Sequence, residues 1–302
     1  MSRKKVINIL KWVWLLAVLA FAGWYLVTHF QEIRENLKAV SAERLVLSVF
    51  LLFIGKFFLS DLTRLSLKKV NWKMEYTDAL SVTSVTQLGK YLPGGIWHFA
   101  GKFGVYKARG LSAVDATRAM VLENIWLFSS ATAVGISALL FSASDLFCDQ
   151  FGVLCGPEYQ FAAGIGVLFL WVIGLFVVEK FVNKKSKFSL IDFILVLAEL
   201  VSIWVLFGVS FFMVFPPGGG FLSEVIGAFG LSWIAGYAAF FAPGGIGIRE
   251  ALLALILGAF FAGEMVAVRA AIHRLIWVLV EIILGLGCIL VFGMPIVEAP
   301  ES

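Results

Sequence analysis

The chain has 302 residues, of which 61% are hydrophobic and only 15% charged, with a formal net charge of +4 and a mean hydropathy of +0.95. So little polar surface cannot cover a soluble globule of this length, which excludes a soluble enzyme and implies an integral membrane protein.

The first apolar run, at about 9–28, follows the basic Met1–Lys5 segment. It is too long for a signal peptide and lacks a small-residue cleavage site, so a retained anchor is expected. A second run at about 45–62 carries Lys56. The next stretch, 77–109, is apolar but interrupted by Pro93-Gly94-Gly95. Further runs lie at about 119–142, 160–179, 190–214 and 271–292, and a second interrupted stretch, 221–262, contains Pro243-Gly244-Gly245. The uninterrupted runs approach the roughly 20 residues that a bilayer core demands, giving six expected spans.

Lysine and arginine are retained on the cytoplasmic side. They cluster at the start of the chain, in Arg64–Lys73, in Lys107–Arg118 and after Glu179, so these segments, and both termini, are expected there. The 142–160 loop has no Lys or Arg and should face outward. It holds Cys148 and Cys155, which either bridge on that oxidising side or stay as two thiols. Cys288, within the last span, is expected to pack. The three histidines are far apart and no Cys-x-x-Cys occurs, so no metal site and no cofactor are expected.

The sequence also repeats itself. Pro93-Gly94-Gly95-Ile96 returns as Pro243-Gly244-Gly245-Ile246, and downstream Arg118, Ala119, Ile125 and Trp126 return as Arg269, Ala270, Ile276 and Trp277. Chance could duplicate the first motif but would not also keep the downstream register, so an internal duplication is inferred, with halves at 1–143 and 158–293 of a single membrane domain. Each half reads span, span, interrupted segment, span. If the interrupted segments are re-entrant hairpins, each half crosses three times and the second half is inverted. The alternative, two Pro-kinked full spans, gives eight crossings.

A helix restarting after Pro-Gly-Gly presents free N–H groups and partial positive charge, an anion site in waiting. Lys90, His98 and Lys102 lie near the first restart, and Arg249 and Glu250 follow the second. Gly94, Gly95, Gly244 and Gly245 would let backbone approach a phosphate. Snorkelling to the headgroup level is the competing explanation for each cation alone. Glu123 aligns with Arg274 across the repeat, either as a pair or as two substrate contacts, and Glu123, Glu250 and Arg274 are expected to balance or gate charge. Lys56 and Glu199 read as isolated and structural. No Walker A motif, Gly-x-Ser-x-Gly or paired Asp-x-Asp is present, so no enzyme and no ATP-driven pump are expected.

With these residues in view, Lys90–Lys102, the Glu123 helix and Pro243–Ala251 with its Gly-x-Arg-Glu run resemble the lysylphosphatidylglycerol synthase transmembrane family, also called flippase-like domain proteins. In the bifunctional multiple peptide resistance factors a domain of this kind moves aminoacylated phosphatidylglycerol between leaflets, beside a soluble transferase. The sequence ends at Ser302, so the transferase is expected to be absent. The resemblance implies translocation or binding of an anionic phospholipid or a polyprenyl-phosphate-linked headgroup in a bacterial or archaeal cytoplasmic (inner) membrane. No nucleic-acid partner is expected. Homodimerisation, or pairing with a lipid- or glycan-synthesis enzyme, stays open, and the rival function is a non-transporting membrane subunit or anchor of such a system. The expected fold is an all-α polytopic membrane protein with six transmembrane helices and two re-entrant hairpins.

Overall fold

The computed structural model describes residues 40–91, 96–142, 156–182, 188–217, 221–239, 245 and 247–295. All regular structure among them is helical: α1 Ala42–Lys69, α2 Tyr76–Gln87, α3 Trp97–Ala108, α4 Ala113–Phe141, α5 Pro157–Val182, α6 Leu190–Phe212, α7 Leu222–Ala238, α8 Ile248–Leu257 and α9 Gly263–Phe292, with a 3₁₀ turn at Leu88–Tyr91. Five of these helices, α1, α4, α5, α6 and α9, are long and apolar enough to cross a membrane. The chain is therefore a multi-pass, all-α membrane protein. The expected span at 9–28 lies outside the described residues, as do Cys148, Cys155, Pro93, Gly94, Gly95, Pro243 and Gly244. α4 and α9 begin earlier than the apolar runs because their first turns carry Asp115 and Glu264, polar groups that suit a helix start.

Helix starts are fixed by short polar signals. Ser112 accepts from the Asp115 N–H, and Ser189 and Asp192 cap each other reciprocally at the start of α6. Small residues then bring helices close where no hydrophobic force would do so in lipid. A Cβ on Gly55 of α1 would sit 2.4 Å from the Phe207 ring of α6, and one on Gly227 of α7 would sit 2.7 Å from the Gly135 carbonyl of α4. The hydroxyls of Ser48 and Ser210 meet at 2.9 Å across α1 and α6.

Contacts at the helix ends sort the molecule into two poles. At one, Lys68 at the end of α1 pairs with Asp192 at the start of α6 at 2.7 Å, and Lys69 pairs with Glu179 near the end of α5. At the other, Arg44 near the start of α1 donates to the carbonyls of Phe212 and Met213 at the end of α6. Ser223 of α7 donates to the Ala138 carbonyl near the end of α4, and Phe141 of α4 packs on Phe161 of α5. The five long helices thus alternate in direction along the chain. The basic segments 64–73 and 107–118 share the first pole.

The shorter helices form two antiparallel pairs. In α2/α3, Gly101 faces Thr86 while Gly89 lies against the backbone of Trp97 and His98, where an added Cβ would be 2.9 Å from the His98 nitrogen. Asp78 and Arg109, at the pair's two open ends, meet at 3.2 Å. In α7/α8, Gly236 lies against Gly245 and Arg249, and Phe221 before α7 stacks near Phe260 and Phe261 after α8, each at 5.3 Å. At 12 residues each, α2 and α3 are about 18 Å long, well short of the roughly 30 Å hydrocarbon core. The first pair opens at the basic pole and the second at the opposite pole. Packing is reciprocal: α2 lies on α9, where a Cβ on Gly285 would crowd Leu88, and α7 lies on α4.

Candidate functional site

Where the inner ends of both helix pairs meet α1, α4 and α9, the protein forms a partly open cavity of about 120 Å³. Among the described residues its wall carries five lysine and arginine side chains, Lys56, Lys90, Lys102, Arg249 and Arg274, against a single carboxylate, Glu123. Such a concentration of cations at membrane depth is unfavourable unless it meets carboxylates, water or a ligand.

Two carboxylates organise most of these cations. Glu281 of α9, only 2% exposed, accepts from Lys56 of α1, from Lys90 at 2.5 Å, from the Tyr91 hydroxyl at 2.5 Å and from the Trp277 indole at 2.8 Å. Lys56 also sits over the Trp277 ring, 4.0 Å from its centroid. Glu123 of α4 takes both its oxygens to Lys102 of α3, at 2.7 and 2.8 Å, and Lys102 donates to the Thr63 hydroxyl at 2.8 Å. This second pair is closed on itself.

Arg249 is held differently. It enters from the first turn of α8, is 8% exposed, and lies over the rings of Phe229 and Trp277 at 5.2 and 5.7 Å. Among the described residues it has no carboxylate and no hydrogen-bond acceptor. The space for its stem exists because position 236 is glycine: a Cβ there would lie 2.1 Å from the Arg249 Cγ. Gly245 and Gly247, with φ of 73° and 88°, give the left-handed backbone that aims α8 at the cavity, a conformation other residues adopt only with strain.

The remaining wall is polar and aromatic. The Tyr237 hydroxyl donates to the Asn124 side-chain oxygen at 3.0 Å and lies 3.3 Å from the His98 Nε2. The Tyr237 ring stacks on Trp233 at 4.8 Å and meets Phe128 edge-on at 4.9 Å.

Of the residues singled out in the sequence, Lys90, His98, Lys102, Glu123, Gly245, Arg249 and Arg274 all line this cavity. Gly94, Gly95 and Gly244 lie outside the described residues. Glu250 is not on the wall; its carboxylate accepts the Gly247 N–H at 2.7 Å and caps α8. Glu123 pairs with Lys102 rather than Arg274, although both repeat positions face the same space. Lys56 and Glu199 are not isolated. Lys56 is bound to Glu281, and Glu199 meets Asp61, which Arg64 grips at 2.5 and 2.9 Å. Tyr237 and Trp233 had no signal in the sequence, because an aromatic residue in an apolar run looks the same whether it faces lipid or a cavity; Trp277 stands out there only as the repeat partner of Trp126.

The fold and site thus define a multi-pass helical membrane protein with a buried, cation-rich cavity at the junction of two antiparallel helix pairs. No family model matches the chain, and no curated protein does.

Proposed function

We propose that this protein is a flippase-like membrane protein whose cavity receives the anionic headgroup of a lipid, a phospholipid or a polyprenyl-phosphate-linked molecule, for binding or transfer between leaflets. The observation that carries the reading is the convergence of Lys90, Lys102 and Arg249, from both interrupted segments, on one cavity. A volume of about 120 Å³ is small beside the 300–1,000 Å³ of drug-sized pockets, so it suits a headgroup whose chains stay outside.

The proposal includes the topology. The 9–28 run and the five long helices make six spans, and the pairs α2/α3 and α7/α8 are re-entrant hairpins of an inverted repeat. Alternating long helices, hairpins opening at opposite poles and the reciprocal packing of α2 on α9 and α7 on α4 support it. Backbone such as that of Gly245, which lines the polar cavity, is tolerable at this depth. The reading places the protein in the lysylphosphatidylglycerol synthase transmembrane family and in a cytoplasmic membrane, with the basic pole inside. It assigns no catalytic role.

The test is transport or binding in reconstituted vesicles with a headgroup-accessibility assay. Arg249→Gln should weaken it far more than Lys73→Gln, a change at an exposed basic residue between α1 and α2. Attraction to an anionic leaflet, worth about 1 kcal/mol per basic residue, predicts similar losses at both positions. Equal losses, with protein amount and folding matched, would overturn the shared-site reading.

A further inference from the structure

The charges around the cavity do not cancel, and the way they fail to cancel specifies a ligand. Lys102 and Glu123 form a one-to-one pair. Lys56 and Lys90, by contrast, share the single carboxylate of Glu281, whose oxygens also take the Tyr91 and Trp277 donors. With both lysines protonated, two cations over one anion leave one positive charge. Arg249, stacked on rings and without a carboxylate, leaves a second. Arg274 lines both this cavity and, with Arg249 and Glu250, a smaller pocket beside it; Glu250, off the cavity wall, offsets the formal charge of Arg274, so the count does not change.

We propose that the headgroup taken by this cavity is a dianion, a phosphate monoester or diphosphate carried on a lipid, in preference to a singly charged phosphodiester. The inference rests on the anionic-headgroup reading and adds its charge. A phosphodiester would satisfy either the Lys56/Lys90 excess or Arg249 and leave the other cation uncompensated in a poorly solvated space. A dianion with oxygens on both sides answers the two at once. Lysine suits a point charge on one side, and the planar guanidinium can present a two-pronged contact on the other.

The experiment measures binding of matched-chain phosphatidate and phosphatidylglycerol to the full chain in phosphatidylcholine nanodiscs. It is run at about pH 8, where the second proton of a phosphate monoester, with pKa about 6, is off. Inorganic phosphate and glycerol phosphate serve as soluble competitors. Phosphatidate should bind at least about tenfold more tightly than phosphatidylglycerol. Lys90→Gln, which leaves Lys56 on Glu281 and so spares the buried carboxylate a lost partner, should shrink that preference to about twofold or less.

Equal binding of the two anionic lipids, both above the neutral background, would overturn the dianion while leaving the anionic-headgroup reading intact. Binding of neither above background would overturn both. A preference that survives Lys90→Gln would overturn the charge count. Displacement of phosphatidate by inorganic phosphate at comparable concentration would make the ligand a free phosphate and overturn its lipid source.

Discussion

In the α2/α3 pair the two lysines that line the cavity end on carboxylates, Lys90 on Glu281 and Lys102 on Glu123, whereas the α7/α8 pair holds Arg249 only against the rings of Phe229 and Trp277. The two pairs are matched in packing, α2 on α9 and α7 on α4, yet one has its cavity cations tied down by the protein and the other presents its cation to the cavity. A buried ion pair fixes geometry at a cost in desolvation; a buried cation held by stacking alone keeps its donors for something else. The difference separates the half that shapes the site from the half that waits for a ligand.

The largest expected effect therefore falls on the closed pair. Lys102→Gln or Glu123→Gln strands a buried partner and should lower stability by about 3–5 kcal/mol, read as a drop in the thermal midpoint of the purified protein. The double variant should recover much of it, since two neutral amides leave no orphaned charge. Single variants as stable as the parent would show that this hairpin is not locked. Arg249→Gln should do the reverse. Losing a charge-assisted contact worth about 1.5–3 kcal/mol should reduce headgroup affinity roughly ten- to a hundredfold. The midpoint should hold or rise, because an uncompensated buried cation is gone. A midpoint that fell as far as for Lys102→Gln would erase the contrast between the hairpins.

The contrast was only half legible in the sequence. Lys90, Lys102 and Arg249 stand out because charge and Pro-Gly-Gly interrupt runs that otherwise resemble lipid-facing helix. The five long helices follow from apolar length alone. The partners did not follow. Glu281 lies 225 positions from Lys56 and 191 from Lys90, and no local spacing links them. The repeat alignment sets Glu123 opposite Arg274, and packing also sets Glu123 beside Lys102 of the preceding helix, a partner that no repeat position indicates. One signal did exist for Lys56: an unpaired lysine at the middle of a span is costly enough to require a distant acid.

A smaller effect tests whether Arg249 is aimed by its surroundings. In Gly236→Ala the new Cβ would lie 2.1 Å from the Arg249 Cγ and 2.6 Å from its Cδ, so the stem must rotate off its present path. An off-rotamer side chain costs about 0.5–1.5 kcal/mol, which sets an affinity loss of a few-fold to about tenfold. Since the effect passes through Arg249, adding Gly236→Ala to Arg249→Gln should change binding no further. An additional loss in the double variant would mean that Gly236 serves hairpin packing rather than the cation.

The smallest effect is expected at Tyr237, which joins the two hairpins. Its hydroxyl donates to Asn124 of α4 and sits beside His98 of α3, while its ring stays packed on Trp233 and Phe128. Tyr237→Phe keeps the ring and removes one neutral hydrogen bond, so stability should fall by about 0.5–1.5 kcal/mol. Asn124 keeps its bond to the Met120 carbonyl at 2.7 Å, which limits the damage on that side. If the hydroxyl orients His98 toward the cavity, Tyr237→Phe and His98→Gln should each weaken headgroup binding by a few-fold and should not add when combined, because both act on one contact. Additive losses would separate the two residues. A stability loss in Tyr237→Phe as large as that of Lys102→Gln would make this bridge part of the locked framework, and the division between a shaping half and a receptive half would then have to be drawn elsewhere.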